Sequence, residues 1–274
     1  MFAIREDFAG PTLGPHWKTF LRGQGTLEQT GHSLRFVTTD ATRRRYTDAQ
    51  IDDYQGVPRG RLPWRAPLIM TVRARFSHGP DELQGTAGFG FWNDPFMMTG
   101  ARWPTLPRAI WFFYASPRSN MKLDLNTPGH GWKAATIDAL GWPFLLLAPT
   151  APLALPLMHV RPLYRRLWPL AQRALRVREA LVNAAMTEWH TYVLEWGTTR
   201  ARFLVDDTVV LDCDTPPRGR LGCVLWLDNQ YAVVTPWGRL GYGLLDAPGC
   251  QWMELETLSI ESPDVACAME SRGV

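Results

Sequence analysis

Glu188 to Asp212 reads EWHTYVLEWGTTRARFLVDDTVVLD. Trp189 to Trp196 alternates large apolar and polar side chains, the period-two pattern of a half-buried strand. Ala201 to Val205 and Thr208 to Leu211 are shorter apolar runs separated by Asp206-Asp207. Two aspartates between such runs favour a tight turn, because their side chains bond to nearby backbone. The stretch is therefore predicted to be three strands, the last two forming a hairpin.

The same pattern extends outward in both directions. Leu68 to Phe76 places Met70, Val72, Ala74 and Phe76 on one face, with Arg73 and Arg75 on the other. Ser33 to Thr38, Gly85 to Trp92, Arg108 to Ser116, Leu221 to Leu227 and Gln251 to Glu261 are further strand candidates. In Gly85 to Trp92, Phe89 and Phe91 share a face opposite Trp92. Pro58, Pro63, Pro67, Pro80, Pro95 and Pro104 mark the loops. Many short strands with frequent turn signals, and no internal repeat, predict an all-β sandwich or jelly roll.

One segment departs from this pattern. Residues 140–187 begin with a proline-rich apolar lead-in, WPFLLLAPTAPLALPLM. Its length tempts a membrane-span reading, but Pro143, Pro149, Pro152 and Pro156 each remove a backbone donor from a helix interior. From Val160 to Ala185, Leu163, Tyr164, Leu167, Ala171, Ala174, Leu175 and Leu181 recur at helical spacing. Arg161, Arg165, Arg166, Arg173, Arg176 and Arg178 lie mostly elsewhere. The expectation is one amphipathic helix over 160–186, kinked at Pro169, packed over the sheet or the mouth of a cleft. An Arg-rich face opposite apolar residues also suits a membrane surface contacted through 142–186.

The 274 residues can bury a full core, and 1–274 is read as one domain carrying that insertion. The net charge of +3 gives no electrostatic case for nucleic acid. Cys213, Cys223, Cys250 and Cys267 show no C-x-x-C spacing, which argues against zinc. Cys213 and Cys223 could face one another across strands or remain thiols. Met1 to Phe8 lacks the basic-then-apolar order of a signal segment, so the expectation is cytoplasmic, with peripheral membrane contact through the insertion as the variant.

The stretch Glu188 to Asp212 resembles a strand pair of the laminarinase-type (family 16) glycoside hydrolases, through Trp189, His190, Tyr192, Glu195, Trp196, Arg202, Phe203, Val205 and Asp206. REDFAG at Arg5 to Gly10, HSLRF at His32 to Phe36 and MELETLSIE at Met253 to Glu261 fit its outer strands. The resemblance implies a concanavalin A-like jelly-roll sandwich. It also implies a Glu-x-Asp-x-x-Glu strand, whose carboxyls act as nucleophile and acid/base. The strand in that place is RAIWFFYAS, and its three acidic positions are Ala109, Trp111 and Tyr114. No other stretch carries the motif. Some relatives of this kind hold a structural calcium between first and last strands. That would point at Glu6 and Glu256; two carboxylates alone do not make a site, so no cofactor is expected, with a structural calcium there as the variant.

The candidate ligand-binding residues are aromatics that would line the concave sheet together with two aromatic-Asp-Asn loops. They are Trp92, Asn93, Asp94, Trp111, Tyr114, Trp226, Asp228, Asn229 and Tyr231, with Trp103 and Phe113 nearby. Rings stack on sugar faces, while carboxylate and amide groups bond to hydroxyls. The reading is a non-hydrolytic protein that binds a carbohydrate or amphiphilic small molecule. Two alternatives stand beside it: a glycan-active hydrolase with relocated catalysis through Asp94, Asp228, Glu195 or His190, and a peripheral membrane or scaffold protein using the insertion.

Overall fold

A computed structural model describes residues 3–263 apart from 11, 99 and 101, so Cys267 lies outside the described residues. Its strands in chain order are β1 (Ile4–Glu6), β2 (Lys18–Arg22), β3 (Gly25–Gln29), β4 (Leu34–Ala41), β5 (Asp48–Asp52), β6 (Leu68–Phe76), β7 (Thr86–Trp92), β8 (Arg108–Ala115) and β9 (Asn120–Met121). They continue as β10 (Gly131–Asp138), β11 (Arg178–Leu181), β12 (His190–Trp196), β13 (Ala201–Val205), β14 (Thr208–Cys213), β15 (Gly222–Asp228), β16 (Gln230–Val234), β17 (Leu240–Leu244) and β18 (Ala247–Glu261). Between β10 and β11 lie α1 (Trp142–Leu147), α2 (Ala151–Leu157) and α3 (Arg161–Ala174).

Two antiparallel sheets pack face to face. One runs β14-β13-β12-β6-β18-β4-β3, with β1 also on β18; the other runs β11-β10-β8-β7-β15-β5-β2. A small third sheet, β17-β16-β9, lies apart. The period-two reading of Leu68 to Phe76 holds residue by residue, since β6 alternates buried and half-buried positions along its whole length. The space between the sheets is filled by Phe36, Phe76, Phe89, Phe91, Phe112, Trp132, Tyr192, Trp196 and Phe203. Edge-to-face pairs such as Phe89–Tyr192 and Phe112–Phe203 organise this layer, in the geometry ring quadrupoles favour.

The insertion differs from expectation in two ways. The lead-in is helical, despite its prolines. Pro143 enters α1 in its first turn, Pro149 does the same in the 3-10 turn Ala148–Thr150, and Pro152 is the second residue of α2. No intrahelical N–H is needed at those positions; of the four lead-in prolines only Pro156 lies inside a helix beyond them, and Pro169 lies inside α3. Second, α3 ends at Ala174 rather than near 186, and Arg178–Leu181 is an edge strand on β10. Leu181 and Ala185 matched the helical period by coincidence. The stem is closed where the Asp138 N–H donates to Leu175 O at 2.7 Å and Arg176 pairs with Asp138 at 3.2 Å. Trp168 donates its indole N–H to Leu123 O, and Tyr164 packs on Trp237, so α3 rests beside the third sheet.

Cys213 and Cys223 are buried free thiols and Cys250 is an exposed one. Glu6 accepts from the Trp17 indole and lies 3.2 Å from His16, while Glu256 pairs with Arg73. These separate partners leave no shared calcium shell, and among the described residues no three His, Cys, Asp or Glu side chains are grouped to hold a metal.

Candidate functional site

The outward face of the second sheet is floored by rings. On β8, Ile110, Phe112 and Tyr114 point into the core, leaving Ala109, Trp111, Phe113 and Ala115 on the outer face. Trp111 stacks on Phe113 with centroids 5.3 Å apart and meets Trp226 of β15 at 5.3 Å and Trp92 of β7 at 5.8 Å. The glycines of β7 make room for them. Gly88 stands beside Phe113 and Trp226, and Gly90 beside Trp111. A Cβ on Gly88 would lie 2.9 Å from the Trp226 ring and 2.3 Å from Phe112 O; one on Gly90 would lie 2.5 Å from Trp111 Cβ. The Gly-x-Gly of β7 thus lets rings from both neighbouring strands fold inward.

These rings border a cavity of about 120 Å³, walled also by Gln50, Thr86, Met98, Met121, Asp228, Gln230 and Tyr231. Asp228 is its polar anchor. Its Oδ1 accepts from the Thr86 N–H (3.2 Å), the Thr86 hydroxyl (2.8 Å) and the Gln230 N–H (2.9 Å). The Trp226 indole N–H in turn donates to the Thr86 hydroxyl at 3.0 Å. Burial dominates and pushes the Asp228 carboxyl up to about 6. Asp48 of β5 is its cross-strand partner. Burial first, and then the Asp228 charge, raise the Asp48 carboxyl well above the usual range. The Tyr46 hydroxyl donates to Asp48 Oδ2 at 2.7 Å, while Asp48 Oδ1 is buried with no hydrogen-bond partner among the described residues.

Of the nine candidate residues, Trp92, Trp111, Trp226, Asp228 and Tyr231 line this one cavity. The other four do not. Tyr114 is in the core, its hydroxyl held between Pro80 O (2.5 Å) and Leu83 O (2.7 Å). Strand side chains alternate, and Tyr114 stands five positions after Ala109 in a strand whose register is unbroken on both sides. Asn93 is spent on the backbone, donating to Leu106 O and accepting from the Arg108 N–H. Asn229 accepts from the Thr47 N–H and donates to Thr42, Arg45 and Leu245 carbonyls. Asp94 lines a separate, larger cavity of about 360 Å³ with Tyr54, Pro58, Arg59 and Trp103.

The two aromatic-Asp-Asn loops do not converge. Trp92 pairs with Gly222 and Thr86 with Asp228, so Asp94 and Asn229 lie beyond opposite ends of the paired strands. Six residues of strand put roughly 20 Å between those ends. The two cavities are still neighbours, because the Trp92 indole of one donates to the Tyr54 hydroxyl of the other. Glu195 and His190 are on the other sheet and already paired, Glu195 with Arg202 at 2.6 Å and His190 with Asp206 at 2.5 Å.

Asp48, Gln50 and Tyr46 are the residues that sequence reasoning missed. DAQID at Asp48–Asp52 does carry a signal, since Asp48, Gln50 and Asp52 alternate with Ala49 and Ile51. Asp52 is saturated: the Tyr54 and Gln55 N–H groups and the Gln50 and Gln55 amides all donate to it.

No protein-family model matches the sequence, and no curated protein matches it. Solved structures do match in fold. The laminarinase from Flavobacterium sp. UMI-01 aligns with a TM-score of 0.51 at 13% identity, over 94% of this chain and 98% of that one. A β-1,3-1,4-glucanase (lichenase) derived from a mouse hindgut metagenome gives 0.52 at 12% identity, over 96% and 100%. A Crh5 transglycosylase in complex with NAG gives 0.50 at 11%, over 95% and 84%. At these identities the likeness carries the fold alone: this chain has the two-sheet β-sandwich fold of those structures.

Proposed function

We propose that the protein binds a carbohydrate without hydrolysing it, with a sugar ring against Trp111 and hydroxyls bonded to Asp228, Gln50 and Gln230. The observation that carries this reading is that Asp228 is the only carboxyl bordering the ring-lined cavity, among the described residues. Glycoside hydrolysis needs two carboxyls, about 5–9.5 Å apart across the bond. Asp48, opposite Asp228 on the neighbouring strand, is fully buried and does not border the cavity, and Asp94 is at the far end of the paired strands. Ala109, Trp111 and Phe113 hold the face where acids would stand. Rings and a few polar groups are what a sugar site requires. The solved relatives named above include a sugar complex, which supports the ligand class.

A second reading rests on Asp228 itself. A carboxyl held near 6 and opposed by a second acid has the character of a general acid, which suits a glycan-active enzyme with relocated catalysis. Titration of the protein with laminarin- and lichenan-derived oligosaccharides by calorimetry, followed by chromatography of the same mixtures, separates the two. Binding without new products, weakened at least tenfold by Trp111→Leu, supports the first. Products that vanish in Asp228→Asn establish the second. Neither binding nor products with any β-glycan would remove both.

A further inference from the structure

From Ala139 to Arg178 the chain contains no aspartate or glutamate. The helices in this segment leave large apolar side chains in water. On α1, Trp142 and Leu146 are 67% and 69% exposed, with Leu145 beside them at the i, i+3, i+4 spacing of one helix face. On α2, Leu153 is 80% exposed and Leu157, one turn on, is also exposed. On α3, Leu163, Tyr164, Leu167 and Trp168 are half-buried, whereas Arg161, Arg165, Arg166, Leu170 and Arg173 are exposed. The ion pairs among the described residues include none of those four arginines. The two arginines that follow behave differently: Arg176 is tied to Asp138 and Arg178 to Asp214. The tip between β16 and β17 docks on α3 through Trp237 and adds exposed Arg239 and Leu240.

We infer that this face, the outer side of α1, α2 and α3 with the β16–β17 tip, docks on an anionic lipid bilayer. Exposed apolar side chains beside arginines, on a segment with no acid of its own, are the composition of an interfacial element. The leucines would enter the acyl boundary while the arginines meet lipid phosphates. No helix among the described residues is long and apolar enough to cross a membrane, so the contact is peripheral. A second copy of the chain fits less well, because a two-fold contact would set this arginine cluster against itself. A nucleic acid would match the arginines but not cover the leucines. The inference is independent of what the ring-lined cavity holds.

The test is co-sedimentation of the full chain with phosphatidylcholine vesicles, with and without phosphatidylglycerol, at low and at physiological salt. The expected result is binding that requires phosphatidylglycerol and weakens as salt screens the arginines. Leu146→Gln with Leu153→Gln, and separately Arg165→Gln with Arg166→Gln, should each lower vesicle affinity at least tenfold. Both pairs are exposed, so an unchanged melting profile is expected and shows that the fold is retained. Absence of binding to anionic vesicles at low salt would overturn the inference, as would equal binding by both variants. Concentration-dependent self-association in solution, abolished by the leucine pair, would assign the face to a second copy and overturn it equally.

Discussion

Asp48 and Asp228 stand directly opposite one another on β5 and β15, two acids facing each other in a buried sheet. Like charges across a strand pair are destabilising, and burial adds to the cost. The pair is relieved by holding protons: Asp228 titrates at about 6 and Asp48 higher than a free carboxyl. A carboxyl whose folded value lies above its unfolded one contributes most below the unfolded value, and that contribution fades as pH rises through the folded value. Stability should therefore fall between about pH 4 and pH 6, by on the order of 3 kcal/mol from Asp228. Asp228→Asn keeps the oxygen that accepts from Thr86 and Gln230, so its urea midpoint should vary less over that range and exceed the parent's at pH 7.5. Superimposable pH profiles for the two proteins would refute this.

Gly88→Ala should cost more than about 2 kcal/mol, since the new methyl meets a carbonyl and the Trp226 ring at under 3 Å and overpacking is not relieved by rotation. Gly60→Ala, where nothing lies within 4 Å, is the control and should change stability by less than about 1 kcal/mol. Chemical denaturation of both variants measures the contrast; equal losses would mean that β7 yields around the added atom.

Asp138 is fully buried between Arg108 (2.7 Å) and Arg176 (3.2 Å) at the stem of the insertion. Asp138→Asn leaves two guanidiniums facing a neutral amide, a loss of about 3–5 kcal/mol for a broken buried pair. Amide hydrogen exchange should rise first in residues 138–177, ahead of the sheets. Uniform loss of protection across the chain would show instead that the stem and the sandwich unfold together.

Trp111→Leu is expected to keep the fold and lose the ligand. Trp111 is only half-buried, and leucine retains apolar contact with Phe113 and Trp226. Calorimetry with the best-binding β-glycan oligosaccharide is the measurement; parent-like affinity would place the sugar elsewhere.

The sandwich was legible wherever a strand had one wet face and one dry. β6 and β13 match their expected limits because Arg73 or Arg202 alternates with core side chains. β5 was not, because its wet face is buried too: Asp48, Gln50 and Asp52 are polar residues in a wholly covered strand. The ring cluster was legible from β8 and β15, but Tyr114 was placed on the wrong side, since a motif offset of five ignores strand parity. Asn93 and Asn229 carry no signal that separates a ligand contact from a backbone clamp; their partners come from Leu106, Thr42 and Leu245, distant in the chain.

The unbroken register of β8 has an evolutionary reading. A strand showing acids at first, third and sixth positions to one side must hold one extra residue between the third and sixth, a bulge that resets the facing. β8 pairs continuously with β7 and β10 from Ala109 to Ala115 and has no such residue. A glutamate at Tyr114 would therefore stand in the core opposite Trp132, not on the outer face with Trp111. A one-residue insertion between Trp111 and Tyr114 would turn the sixth position outward, which no single substitution does.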